Sequence, residues 1–126
     1  MTATPFRPVL YLMRSCPFCL KVAALLSEVG AFDTVDLRAF WPGDEHEAPI
    51  RAALAPHLEK ITFPALEVEP GRFIADSDAI VALYAQKAGV DPANLPFYQY
   101  VMAGPFRRIR EAHVETLELK KRLGEA

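Results

Sequence analysis

The sequence predicts one α/β domain in the element order β-α-β-α-β-β-α, followed by a helical extension. The first observation is a continuous apolar segment at 9–13 that leads directly into an apolar helix. The second is a pair of strand-like segments on either side of Pro70-Gly71, and the third is a capped helix that follows them. With 126 residues, of which 52% are hydrophobic, the chain can bury one core without disulfides.

The first three elements form a βαβ unit. Val9–Met13 is apolar throughout, which is typical of a strand buried on both faces. The helix from Pro17 to Val29 begins with a proline, which suits a first turn that needs no backbone donor. We expect Lys21 and Glu28 on its solvent side. The alternation of polar and apolar residues over 34–39 predicts a strand near the sheet edge with one exposed face.

Caps and turns indicate the next elements. Asp44 and Glu47 have capping-box spacing and predict a second helix, from Glu47 to about Leu58. Two strands separated by a Pro-Gly turn follow, over 63–69 and 72–75. A proline cannot donate to a ladder, so the first of these strands has its proline at its start or lies at an edge.

The last part of the chain contains one more domain helix and the extension. Asp76-Ser77 offers an N-cap for a helix that Gly89 closes. Two prolines then predict a linker, so we assign residues 1–89 to the domain and residues 90–126 to the linker and extension. The extension is predicted as two helices broken at Gly104-Pro105. Its apolar residues must pack on the same chain or on a second copy, so a homodimer through this extension is one expected arrangement.

The composition excludes some classes of partner. The chain has 14 Lys and Arg against 16 Asp and Glu, a net charge of −2, and both signs are interleaved, so we expect no nucleic-acid partner. The N-terminal segment lacks the long apolar core of a signal peptide, and the apolar segment 9–13 is too short to span a bilayer. We therefore expect a cytoplasmic protein with no membrane partner.

The chemistry is expected at the motif Cys16-Pro17-Phe18-Cys19. A CxxC pair that follows a buried strand and opens a helix is typical of thiol-disulfide exchange, because a helix N-terminus stabilises a thiolate. Cys16 is then the nucleophile, with Arg14 as a nearby cation. Cys19, one turn into the helix, resolves the mixed disulfide.

Two other interpretations of the cysteines remain. They could be small buried hydrophobes, since Cys is among the most buried residue types. They could also be zinc ligands, but a structural zinc site needs four ligands at close spacing. The three histidines, His46, His57 and His113, are scattered along the chain, so we expect no metal.

Three stretches resemble a known family: Leu10–Val22 (LYLMRSCPFCLKV), Thr62–Leu66 (TFPAL) and Asp76–Leu83 (DSDAIVAL). Over residues 8–88, in one register, they are similar to the thioredoxin-like superfamily, specifically to glutaredoxins and the N-terminal domains of glutathione transferases. The resemblance implies a thioredoxin-like (glutaredoxin-like) fold with a four-stranded mixed sheet. The CPFC motif is similar to the CPYC of dithiol glutaredoxins.

The resemblance also implies which residues bind glutathione. Pro64 would be a cis proline opposite the active-site helix, and the backbone of Phe63 would pair with the cysteinyl part of glutathione. Asp76-Ser77 matches the acidic-Ser pair that holds the γ-glutamyl end in transferases, although the same two residues are compatible with a plain helix cap. Arg14 would hold the glycyl carboxylate, since Met13 stands where glutaredoxins usually carry Lys or Arg.

The leading function is therefore an enzyme, a glutaredoxin-like thiol-disulfide oxidoreductase with glutathione as co-substrate and with disulfide or glutathionylated proteins as substrates. Conjugating transferase activity is disfavoured, because the extension is much shorter than the helical domain of a complete transferase. The alternative is a glutathione-binding, transferase-like or protein-docking module without redox turnover. A third interpretation is iron-sulfur cluster carriage, against which Pro17 counts, because in the family a proline after the nucleophile generally accompanies redox work.

Overall fold

The structure is a computed structural model that describes residues 5–124. Its strands are β1 Val9–Met13, β2 Asp36–Phe40, β3 Ala65–Glu69 and β4 Arg72–Ile74. Its helices are α1 Pro17–Glu28, α2 Glu47–Leu54, α3 Ser77–Ala88, α4 Pro96–Ala103 and α5 Pro105–Arg122. The first four residues, on which the expectation about a signal peptide partly depends, and the last two lie outside the described residues.

The four strands form one mixed sheet in the order β2-β1-β3-β4. β1 runs parallel to β2 and antiparallel to β3, and β3 runs antiparallel to β4. The predicted four-stranded mixed sheet is therefore confirmed. β2 lies at an edge, as predicted, but the adjacent residues Leu37 and Arg38 are both exposed, so the expected division into one exposed and one buried face is wrong there.

The central strand β1 is buried on both faces. Leu10 and Leu12 pack into a core formed with α1 and α3. Val9 and Tyr11 point to the opposite face, where α2 contributes Ile50 and Leu54 to a second core. The alternation of side chains along a strand explains this division. The sheet is thus covered by α1 and α3 on one face and by α2 on the other.

Three element boundaries differ from the prediction by two residues or more, at the end of α2 and at the starts of β2 and β3, where β3 begins at Ala65 rather than at residue 63. α2 ends at Leu54 rather than at Leu58, because Pro56 lacks a backbone N–H and cannot donate to the carbonyl four residues earlier. β2 begins at Asp36 rather than at residue 34, because residues 32–34 form a short 3₁₀ turn. At α2 and β2 a local turn overrides the periodic pattern.

The expectation of a solvent side with Lys21 and Glu28 is wrong for Lys21, which is buried, while Glu28 is half-buried. Lys21 is only 8% exposed, and its ammonium pairs with the carboxylate of Asp78 on α3. The Glu28 carboxylate accepts hydrogen bonds from the backbone N–H groups of Phe97 and Tyr98, at 3.1 and 2.7 Å. This side of α1 is covered because α3 and the start of α4 pack there.

The extension packs on its own domain at its near end. Tyr98, Val101 and Phe106 are buried in the core that contains α1 and α3. Further along, α5 exposes apolar side chains at Val114, Leu117, Leu119 and Leu123. Among residues 5–124, no helix combines the length and apolar character that a bilayer crossing requires.

Candidate active site at the N-terminus of the first helix

Cys16 occupies the N-cap position of α1. Its backbone is extended, with φ −88° and ψ 127°, and its N–H donates to the carbonyl of Met13 at 3.0 Å. Pro17 is the first helical residue, where a missing N–H costs nothing. The strand-to-helix turn therefore places the sulfur at the positive end of the helix dipole.

The two thiols are in hydrogen-bonding contact, and this contact divides their pKa values. The pKa of Cys16 is lowered to about 6, first by the hydrogen bond from the Cys19 thiol, then, against the opposing effect of burial, by the backbone N–H groups of Cys19 and Phe18. The pKa of Cys19 is raised by its hydrogen bond to Cys16, by burial and by the Cys16 charge. The Arg14 charge is not among these causes, and its effect on Cys16 stays a prediction.

A cis peptide bond lies beside the Cys16 sulfur. The Phe63–Pro64 bond is cis, and the carbonyl oxygen of Phe63 lies 3.8 Å from Cys16 Sγ. The backbone just before β3 thus faces the start of α1, in the arrangement that the family resemblance implies. The two segments are far apart in sequence and meet because β3 pairs with β1.

Two side chains that sequence reasoning missed surround the ring of Phe63. The ring packs edge-on against Phe40, with centroids 4.8 Å apart, and the Arg51 guanidinium lies 5.4 Å from its centroid. Arg51 is held by Glu47, one helical turn earlier, at 2.7 Å. The i,i+4 spacing of this ion pair is visible in the sequence, but its position above Phe63 is not.

The start of α3 carries the predicted Asp76-Ser77 pair. Asp76 is the N-cap, and its Oδ1 accepts hydrogen bonds from the N–H groups of Asp78 and Ala79, at 2.9 and 3.4 Å. Its side chain is therefore a helix cap, one of the two roles predicted for it. Ser77 is the first residue of the helix.

Arg14 lies apart from these residues. Its backbone N–H donates to the carbonyl of Phe40 at 2.8 Å, and its exposed side chain lines a cleft of about 290 Å³ together with Leu37 and Ala39 of β2. Since β2 and β3 flank β1 on opposite sides, this cleft and the Phe63–Pro64 bond lie on different sides of the central strand.

The extension also reaches the CPFC motif, which the sequence does not reveal. The rings of Phe18 and Phe106 pack edge-on with centroids 5.8 Å apart. Beyond this contact, α5 and the segment around Ser15 and Pro42 border a cleft of about 400 Å³. The start of α5 therefore covers one flank of the active-site turn. Within residues 5–124, no group of three or more His, Cys, Asp or Glu side chains is arranged to hold a metal ion.

The sheet order, the two helical layers and the cis proline facing a helix-capping cysteine define a thioredoxin-like protein. The sequence model described as "Glutathione S-transferase, N-terminal domain" matches residues 10–92. The chain belongs to this glutathione S-transferase N-terminal domain family.

The chain is also similar to solved structures of other proteins. The chain is similar to a possible glutathione S-transferase from Rhodopseudomonas palustris, with 25% identity, a TM-score of 0.49 and coverage of 64% of this chain and 40% of that one. It is also similar to glutathione transferase Omega 2C from Trametes versicolor, with 24% identity, a TM-score of 0.45 and coverage of 68% and 39%. This chain thus spans about two-fifths of their length. A comparison with curated proteins finds no match.

Proposed function

We propose that this chain is a glutathione-linked thiol-disulfide oxidoreductase that works through Cys16 and Cys19. The observation that carries the proposal is the division between the thiols, with the pKa of Cys16 lowered to about 6 and that of Cys19 raised. At neutral pH, Cys16 is then a thiolate nucleophile while Cys19 keeps its proton. Membership of a glutathione transferase family supports glutathione as the thiol partner.

The reaction proceeds by two displacements at sulfur. The Cys16 thiolate attacks the glutathionyl sulfur of a mixed disulfide, forms a Cys16–glutathione disulfide and releases the substrate thiolate, which takes a proton from water. A second glutathione, as thiolate, attacks the same glutathionyl sulfur, so that glutathione disulfide leaves and the Cys16 thiolate is regenerated. The mixed disulfide is reduced to the substrate thiol and one glutathione thiol is oxidised, since the other half of the departing glutathione disulfide is the glutathionyl group that the substrate carried.

Protein disulfides need the second thiol. Attack of Cys16 on such a disulfide leaves the substrate bound through one sulfur. Cys19 then loses its proton and attacks the Cys16 sulfur, which closes the Cys16–Cys19 disulfide and releases the reduced substrate. Two glutathione molecules restore the dithiol and leave as glutathione disulfide. Cys19 is one helical turn from Cys16 and in contact with it, which supports this step.

In this proposal glutathione lies between the starts of α1 and α3. The backbone of Phe63, next to the cis bond to Pro64, pairs with the cysteinyl part. Asp76 and Ser77 bind the γ-glutamyl end by charge-assisted contacts at a helix N-terminus. On the family resemblance, Arg14 is assigned to the glycyl carboxylate, so glutathione must reach past the start of α1 to the cleft beside β2 that Arg14 lines.

The substrates that we propose are disulfide and glutathionylated proteins in a reducing compartment such as the cytoplasm, where the pair stays reduced. We further propose a homodimer through the distal part of α5, which exposes apolar side chains. Sedimentation tests this point, since a monomer at every concentration contradicts it.

The test of the proposed function is a glutathione-coupled assay with a small mixed disulfide. Cys16→Ser should abolish turnover, because the remaining thiol, Cys19, is buried one turn into α1, where burial disfavours its thiolate and hinders access to the substrate. Cys19→Ser should retain reduction of the mixed disulfide and lose reduction of protein disulfides. If the Cys16→Ser protein is as active as the parent, the proposal fails, and a glutathione-binding or protein-docking module without redox turnover replaces it.

A further inference from the structure

One ion pair, with a buried lysine and an exposed aspartate, joins the helix of the thiols to the helix of the proposed γ-glutamyl site. Lys21, five residues after Cys16 on α1, has a side chain that is 10% exposed, and its ammonium pairs with the carboxylate of Asp78. A buried ammonium requires a partner, and the side chain of Asp78 is 82% exposed. The pair thus extends from the core to the surface of the site.

Asp78 connects this pair to Asp76. Its backbone N–H donates to Asp76 Oδ1 at 2.9 Å, while its own carboxylate faces Lys21. The Asp78 charge also reaches α4, where it contributes, after burial, to the raised pKa of Tyr98. Asp78 is therefore held at its carboxylate by Lys21, and its backbone N–H holds one oxygen of the Asp76 carboxylate. The other oxygen of that carboxylate is the one left for a ligand.

We propose that Lys21 is a positioning residue for the γ-glutamyl end of glutathione, acting through Asp78 on the carboxylate of Asp76. This inference rests on the proposed function. Because α1 carries Cys16 at its N-terminus and Lys21 further along, one rigid helix sets both the position of the reacting sulfur and the orientation of the carboxylate that receives the ammonium of glutathione. Lys21 itself touches neither the sulfur nor the ligand.

The test compares glutathione with cysteinylglycine, which lacks the γ-glutamyl group, as the reducing thiol. Lys21→Met keeps the aliphatic volume and removes the ammonium. It should raise the KM for glutathione by roughly three- to tenfold, the net worth of one hydrogen bond. The kcat with glutathione, the KM for cysteinylglycine and the pH dependence of Cys16 alkylation should not change. Lys21→Arg should restore the parent KM for glutathione.

Two variants support the comparison. Lys87→Met removes an exposed lysine from the far end of α3, which lies over the ring of Tyr84, and should leave both KM values unchanged. Asp78→Asn removes the other charge of the pair while keeping the backbone donor to Asp76. It should reproduce the loss of glutathione selectivity, and it provides the measurement if Lys21→Met does not fold.

The possible outcomes separate this inference from the proposed function. An equal rise in both KM values for Lys21→Met would overturn the inference, because a general structural defect does not distinguish the two thiols. A parent-like selectivity in Lys21→Met, combined with lost selectivity in Asp76→Asn, would also overturn it and leave the proposed function intact. A parent protein that does not prefer glutathione to cysteinylglycine would remove the proposed γ-glutamyl site and this inference with it.

Discussion

The two helices beside the proposed glutathione site begin in different ways. α1 begins at Cys16, which has N-cap geometry but no side-chain capping bond. α3 begins after Asp76, whose carboxylate accepts hydrogen bonds from two backbone N–H groups. In both places an anionic group lies at the positive end of a helix dipole. At α1 that group is the sulfur of Cys16, which we propose as the nucleophile, and at α3 it is a carboxylate that caps the helix.

This comparison shows that the same helix-end electrostatics can support reactivity or stability. The Asp76 carboxylate is already satisfied by the first turn of α3, so its charge is available to a ligand only through its second oxygen. The sulfur of Cys16 has a lowered pKa because the backbone donors of α1 and the Cys19 thiol favour its charged form. Changes at the start of α1 should therefore alter reactivity, and changes at the start of α3 should alter binding.

Among the changes that test this comparison, removal of the Cys19 thiol should have the largest effect, which is on the pKa of Cys16. That thiol is the first cause of the lowered Cys16 pKa, so Cys19→Ala should raise the pKa from about 6 toward the ordinary value of 9.0. Cys19→Ser keeps a hydroxyl donor and should raise it less. The measurement is the alkylation rate of Cys16, which follows the thiolate fraction. It should be half maximal near pH 6 in the parent and at higher pH in both variants. Identical profiles in all three proteins would mean that the backbone donors alone set the pKa.

Asp76→Asn tests the role of the start of α3. We expect an effect of intermediate size, on glutathione binding. The substitution removes the charge but keeps a good N-cap, so the melting temperature should change little. Binding of glutathione should weaken by about 1.5 to 3 kcal/mol, the range for a hydrogen bond to a charged group. Calorimetry with S-methylglutathione, which cannot exchange disulfides, measures this binding separately from turnover.

Asp91 offers a matched control for this substitution. It caps the short 3₁₀ turn Pro92–Asn94 and accepts a hydrogen bond from the N–H of Ala93 at 3.0 Å, which resembles the contact of Asp76 with Asp78. Asp91→Asn should affect neither stability nor glutathione binding. If Asp76→Asn lowers the melting temperature and leaves glutathione binding unchanged, Asp76 is a cap alone.

Local sequence patterns predict most of the fold, because most elements are specified by their own residues. The apolar run Val9–Met13 indicates a strand buried on both faces, and β1 lies between β2 and β3 with cores on either side. The predicted end of α2 is wrong because the apolar spacing continues to Leu58, past Pro56, which interrupts the hydrogen bonding of the helix.

The candidate site is predicted less completely, because half of its contacts join distant segments. The spacing and context of Cys16 and Cys19 identify the motif, and the proline and the acidic-Ser pair follow from the family resemblance. A lysine on a helix is expected in solvent, since buried lysines are rare. Only tertiary packing reveals the remaining contacts, which are those of Phe18 with Phe106, Arg51 with Phe63 and Lys21 with Asp78.

The smallest expected effect concerns the end of α1 that lies away from the thiols. The Glu28 carboxylate accepts hydrogen bonds from the N–H groups of Phe97 and Tyr98, and so acts as a cap for α4 supplied by another helix. Glu28→Ala should lower the free energy of unfolding by about 1 kcal/mol, the typical loss for an N-cap. Chemical denaturation measures this loss. Glu59→Ala, at an exposed position outside the helices, is the control and should change stability by less than about 0.5 kcal/mol.

The same variant tests whether the two ends of α1 act independently. Glu28 touches neither thiol, so alkylation of Cys16 in Glu28→Ala should remain half maximal near pH 6, as the pKa of about 6 requires. The route by which the ends could be coupled is the contact between Phe18 and Phe106, whose ring centroids lie 5.8 Å apart, because loss of the α4 cap could move the start of α5. A shifted alkylation profile in Glu28→Ala would therefore mean that the extension helps to set the reactivity of Cys16. The start of α1 could then no longer be treated as a site defined by its own turn.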